Sequence, residues 1–200
     1  MTNQEFLQTL SKKAQDIVSQ NIQKYNNLTF EVFYSNVSKV ISNNTSNYII
    51  YIKNNIPEDT EYRFLHEFFH CIQYEEGFPS IIPQSEEYKD LASGLSSIIL
   101  DLDIRERLEN NGYFQDLKYI KEFINIEIKM LNMIKQYNDK TQLSNLCDYI
   151  DISGLLITSD IAKINNKKLL NLVKMTRPKI IGYYKVFCDC LERYSYNSYE

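Results

Sequence analysis

The sequence predicts an α+β fold that is predominantly α: a small N-terminal antiparallel sheet followed by a helical bundle. Three observations predict it. The runs LTFEVFYS (28–35) and NYIIYIK (47–53) are rich in β-branched and aromatic residues, and both fall early in the chain. Beyond residue 58 the apolar residues recur at helical spacing almost to the end. The 200 residues, 44% hydrophobic and 24% charged, suffice for a real core. A single domain over 1–200 is expected, with its core at about 28–113 and a helical C-terminal part at 114–200.

The elements follow in order. EFLQTLSKKAQDIVSQNIQKY (5–25) has the periodicity of one amphipathic helix. Between the two strands, SNVSKVISNNTS leaves room for a third short strand and a polar turn. Pro57, Glu58, Asp59 and Thr60 form a helix start, since proline suits the first turn and acids suit the positive end of the dipole. Gly77 and Pro79 stop that helix, giving 58–76. A second long helix runs from about Glu86 to Asn111 and is closed by Asn110, Asn111 and Gly112. Helical pattern continues through 114–137, less regularly through 142–165, and through 178–194 after Pro178. The chain contains no repeat, low-complexity tract or linker.

Charge and termini narrow the function classes. A net charge of −4 and a pI near 5.3 offer no broad cationic surface, which argues against nucleic acid as a partner. MTNQEFLQTLSKKAQD is polar, and no run approaches the length that crosses a bilayer, so a cytoplasmic protein without membrane association is expected. Cys71, Cys147, Cys188 and Cys190 match no disulfide framework and no CxxC pair, which points to reduced, packed thiols.

The sequence FLHEFFHCIQYEEG (64–77) holds both histidines of the chain, four residues apart, with Glu67 between them. At about 100° per residue, Arg63, His66, Glu67, His70 and Tyr74 share an arc of roughly 100°. Phe64, Leu65, Phe68, Phe69, Cys71 and Ile72 take the opposite side. Imidazoles at i and i+4 stand one above the other and converge on a single ion. In this HExxH arrangement neutral histidines ligate Zn²⁺, while the glutamate stays off the metal and takes a proton from the attacking water. Two randomly placed histidines would give the pattern on the order of once in a thousand chains, which disfavours chance. A His-Glu-His salt-bridged face, with Arg63 bonding Glu67 at i, i+4, is the competing account.

FLHEFFHCIQYEEGFPSI (64–81) and LASGLSSIILDLDIRERLENNGY (91–113) together resemble the zincin metallopeptidases. They are most similar to small cytosolic HExxH proteins of bacteria and phages in the gluzincin-like group. The resemblance covers about residues 48–113. It implies a hairpin or small sheet on the HExxH helix, a third metal ligand on the second helix, and hydrolysis of a peptide or protein substrate. It also implies that strand 47–53 exposes an edge to which an extended substrate adds. The chain departs from gluzincins in lacking a glutamate on the second helix between its start at Glu86 and Glu87 and Glu106.

A catalytic zinc takes three protein ligands and keeps one position open. With no third histidine, the third ligand is a carboxylate or, less simply, a thiolate or tyrosine. Glu75 and Glu76 point to the packing side of their helix, and Glu86 and Glu87 lie at the start of the next one. Asp101 shares a side with Gly94, Ser97, Ile98 and Leu108, where small residues permit close approach. Asp103 leans instead toward Glu106 and Arg107, as on a solvated charged face. An aspartate within SSIILDLDI needs a partner to offset desolvation, and a cation is such a partner. The expected site is therefore His66, His70 and Asp101 on Zn²⁺, with Glu67 as general base and Asp103 as the alternative ligand. Tyr74, Tyr113 and the Tyr183–Tyr184 pair are candidates to stabilise an oxyanion. Three function classes fit: a metallopeptidase, a zinc hydrolase of a non-peptide amide or ester, and a zinc-binding module without turnover.

Overall fold

Thr2 opens the first helix with a capping box. Its hydroxyl accepts from the Glu5 N–H at 3.2 Å, and the Glu5 carboxylate accepts from the Thr2 N–H at 2.7 Å. The computed structural model describes residues 2–42, 46–53, 59–78, 82, 85–86, 89–137 and 146–194. Pro57, Glu58, Pro79 and Glu87, all named above, lie outside the described residues. Contacts divide the chain into two compact units, Met1–Pro79 with Ile104–Tyr113, and Ser80–Asp103 with Phe114–Glu200. No described helix is long and apolar enough to cross a membrane.

In the first unit the opening stretch folds as two helices rather than one, α1 (Asn3–Thr9) and α2 (Lys12–Lys24). The break has a visible cause. Leu10 turns extended, and Ser11 caps α2 by accepting from the Ala14 N–H at 3.2 Å. The Ser11 N–H and hydroxyl both bond the Glu61 carboxylate, at 2.5 and 2.9 Å. A helical wheel cannot register a serine recruited by a residue fifty positions away.

The strands are β1 (Thr29–Ser35), β2 (Lys39–Ser42) and β3 (Asn47–Lys53), in the order β1-β3-β2. The expected third strand exists, and the α+β, predominantly α class holds. The sheet is mixed rather than antiparallel: β2 pairs antiparallel with β3, but β1 pairs parallel with it, Thr29 opposite Asn47. The reason is the short crossing at 36–38, which carries the chain over the end of β3 before β2 descends. The Ser38 hydroxyl accepts from the Lys53 N–H at 3.1 Å and pins that crossing. Alternating patterns look the same for either direction, so the sequence is silent on it. Because β3 is central, it has no open edge, and the expected substrate strand at 47–53 is corrected on that ground. On β1, the Asn3 side chain donates to the Phe30 carbonyl and accepts from the Val32 N–H.

Helix α3 (Thr60–Glu75) lies against the sheet. Phe30, Val32, Tyr48, Ile50 and Ile52 alternate onto the buried face of the sheet. Phe64 meets Phe6 edge-on at 5.0 Å, and Phe68 meets Phe30 at 5.6 Å. Gly77 ends α3 in the left-handed region, with Phe78 N–H to the Gln73 carbonyl and Gly77 N–H to the Tyr74 carbonyl, a Schellman stop. Gly112 closes α4 (Lys89–Asn110) in the same way.

The second unit holds the first part of α4 with α5 (Gln115–Tyr137), α6 (Leu146–Ile161), α7 (Lys167–Thr176) and α8 (Pro178–Tyr194). Its core is aliphatic: Ile120, Ile124, Leu131, Ile152, Leu156, Leu169, Leu172, Val173 and Ile180. Helix α7 has no counterpart among the elements expected from sequence.

Candidate metal centre

Helix α3 sets the histidines by burying what surrounds them. Phe64, Leu65, Phe68, Cys71 and Ile72 are fully enclosed, so the rotation of α3 about its axis is fixed. His66 and His70 are left half-buried on the other side, their ring centroids 5.1 Å apart and nearly perpendicular. Glu67 is only 7% exposed. That burial argues against a solvated His-Glu-His face, on which the carboxylate would stand in water.

Asp101 stands on α4, one turn before Ile104. By its contacts Asp101 falls in the second unit, and the two histidines fall in the first. One ligand atom each from His66, His70 and Asp101 lie within 4.8 Å of one another, and these three residues form a group that can hold a metal ion. Asp103 is not part of this group, although it is half-buried like Asp101. The donor set is two imidazole nitrogens from α3 and one carboxylate oxygen from α4.

Two supporting residues escaped the sequence reading. His70 Nδ1 lies 3.1 Å from Gln73 Oε1. That oxygen only accepts, so Nδ1 carries the proton and Nε2 presents its lone pair. Gln73 is itself buried. The Ser97 hydroxyl donates to Asp101 at 3.2 Å, one turn away on the same helix. Both were findable as polar residues one turn from a candidate ligand.

The remaining acids of α3 are engaged elsewhere. Glu75 accepts from the Tyr48 hydroxyl at 2.6 Å and from Ser46 at 3.0 Å. Glu76 accepts from Tyr25 at 2.5 Å, Arg107 at 2.6 Å and Lys24 at 3.3 Å. Burial alone would raise the Glu76 pKa, but these donors carry it below the usual carboxylate value. Burial, with the Glu67 and Glu75 charges nearby, pushes the Cys71 thiol well up, so it is an inert packed thiol rather than a ligand.

Of the tyrosines considered for an oxyanion, Tyr113 donates to Glu61 at 2.7 Å, and burial and that carboxylate push it up to about 12. The Tyr184 hydroxyl bonds Asp160. The Tyr183 side chain lies outside the described residues. Tyr74, one turn beyond His70, is 45% exposed and stacks on Tyr48 at 6.0 Å. It is the one of the three described candidates whose hydroxyl no carboxylate holds.

No family model matches the chain, and neither a curated protein nor a solved structure matches it. The functional reading therefore rests on the site.

Proposed function

We propose that the protein is a zinc-dependent hydrolase of the zincin type, acting as an intracellular metallopeptidase. The observation that carries this reading is the convergence of His66, His70 and Asp101. Two neutral imidazoles with one carboxylate suit Zn²⁺ better than Ca²⁺ or Mg²⁺, which prefer all-oxygen shells. When bound, the metal lowers the pKa of a water molecule and polarises a scissile carbonyl. Glu67, on the same turn as both histidines, accepts the proton from the attacking water and returns it to the leaving amine. Its burial keeps bulk water from that proton. Gln73 holds the His70 ring in one tautomer and orientation. Tyr74, one turn beyond His70 and with no carboxylate on its hydroxyl, is the candidate donor to a developing oxyanion. An intracellular setting accords with a buried Cys71 that forms no disulfide.

The test separates binding from chemistry. Purified protein is expected to carry about one Zn²⁺ per chain, with affinity weakening as protons compete for the histidines. Glu67→Gln should keep the metal and lose cleavage of a peptide library by roughly 10²–10⁴-fold or more. An active Glu67→Gln protein would sink the mechanism. A zinc-loaded wild type inert on peptides would direct attention to non-peptide amides or esters, or to a binding role.

A further inference from the structure

Helix α5 is apolar on two faces. Ile120, Ile124 and Leu131 face the core of its own unit, with Ile128 packed against them. Phe123, Ile126, Met130 and Met133 do not, and they are 57%, 49%, 46% and 53% exposed. Their spacing of three, four and three residues makes one stripe about 15 Å long. It is turned roughly 130° from the inward face. Two methionines and a phenylalanine suit an adaptable protein contact better than they suit water. One flank of the stripe carries Glu122 and Lys129, both exposed, and neither bonds another described residue.

We propose that this face docks on a second copy of the chain, the two α5 helices crossing antiparallel. Glu122 and Lys129 are opposite in sign and seven residues, about 10.5 Å, apart along one flank. An antiparallel copy therefore brings the partner's Lys129 to Glu122 and the partner's Glu122 to Lys129. The two-fold axis then passes near Ile126, which packs on its own counterpart, and Phe123 meets the partner's Met130. A residue on one side meets its complement on the other, as an isologous interface requires. Parallel pairing would carry this flank to opposite sides of the contact in the two copies, so that neither charge would meet its complement. The stripe offers roughly 400 Å² per subunit, about half of what stable interfaces bury, so the dimer is a weak, concentration-dependent one.

Sedimentation equilibrium of the full chain, over roughly two decades around micromolar concentration, should show reversible dimerisation. Met130→Glu should abolish it with helicity unchanged by circular dichroism. Glu122→Lys and Lys129→Glu should each weaken it by roughly tenfold, since two symmetric pairs become repulsive. The double variant should restore it. A chain that stays monomeric throughout would assign the stripe to a different partner and overturn the proposal. So would a dimer indifferent to Met130→Glu, or a double variant that pairs no better than either single one.

Discussion

The two units are built from different cores. In the first, Phe6, Phe30, Phe64 and Phe68 meet ring to ring, with centroids 5.0 to 5.8 Å apart. In the second, isoleucine, leucine and valine fill the space between helices. Rings have direction as well as volume: an edge set against a face tolerates little rotation of the helix that carries it. Aliphatic groups fill volume with far less angular demand. The aromatic core underlies α3, the helix whose rotational setting decides where His66 and His70 point. Packing that merely stabilises a helix thus differs from packing that aims it.

Substitutions can break that distinction. Phe68→Ala should cost about 3–5 kcal/mol in the first unit, and Leu156→Ala about 2–5 kcal/mol in the second, measured by denaturant unfolding. The sharper pair nearly conserves volume. Phe68→Leu is expected to reduce metal affinity along with stability, because α3 loses its angular restraint. Leu156→Ile should cost less than about 1.5 kcal/mol and leave metal affinity alone. Equal metal affinity in both variants would remove the distinction.

Next in size is the choice of carboxylate. Asp101→Ala should lose most of the metal affinity, since two histidines alone leave the ion under-coordinated. Asp103→Ala should change metal content and melting temperature little. Zinc stoichiometry measured on the two variants side by side decides it, and retention by Asp101→Ala would move the third ligand elsewhere.

The polar ties of the first unit predict an acid limb. The folded-state pKa of Glu76 lies below its ordinary 4.5, so its contribution is complete above that value and is lost as pH falls through the folded value. Glu76→Gln should therefore lower the melting temperature at neutral pH and flatten its decline in acid.

The smallest effects concern helix stops. Gly112→Ala should destabilise by about 1 kcal/mol, because φ is +71° there and an added Cβ would meet Lys13 Nζ at 2.8 Å. Lys163 holds φ of +54° at the end of α6, and Lys163→Gly should gain up to about 1 kcal/mol.

These stops also explain what was legible in the sequence. Gly77 and Gly112 announced the ends of α3 and α4, because a glycine at that position has a steric reason to be there. Lys163 builds the same motif, with its own N–H to the Asp160 carbonyl and the Ile164 N–H to the Ser159 carbonyl. A lysine gives no such signal, so the end of α6 blurred and α7 went unseen. The face of α3 was readable from period alone. Asp101 was favoured over Asp103 from the small residues on its side of the helix, and it is Asp101 that groups with the histidines where a metal ion could be held. Gln73, one turn from His70, was findable by that spacing, although the apolar period itself does not encode a contact to one ring nitrogen. The break at Ser11 and the direction of β1 depend on residues distant in sequence, and local pattern holds no record of them.

The crossing at 36–38 bears on the order in which the sheet assembles. Strands β2 and β3 are neighbours along the chain, so they can pair within microseconds and at little loop-closure cost. Strand β1 joins β3 at partners eighteen positions apart, and no turn sets its register. Its register comes instead from Phe30 seating against Phe64 and Phe68, which requires α3 to be in place. The first strand synthesised is thus the last to be fixed, and its amides should gain protection together with those of α3 rather than with those of β2.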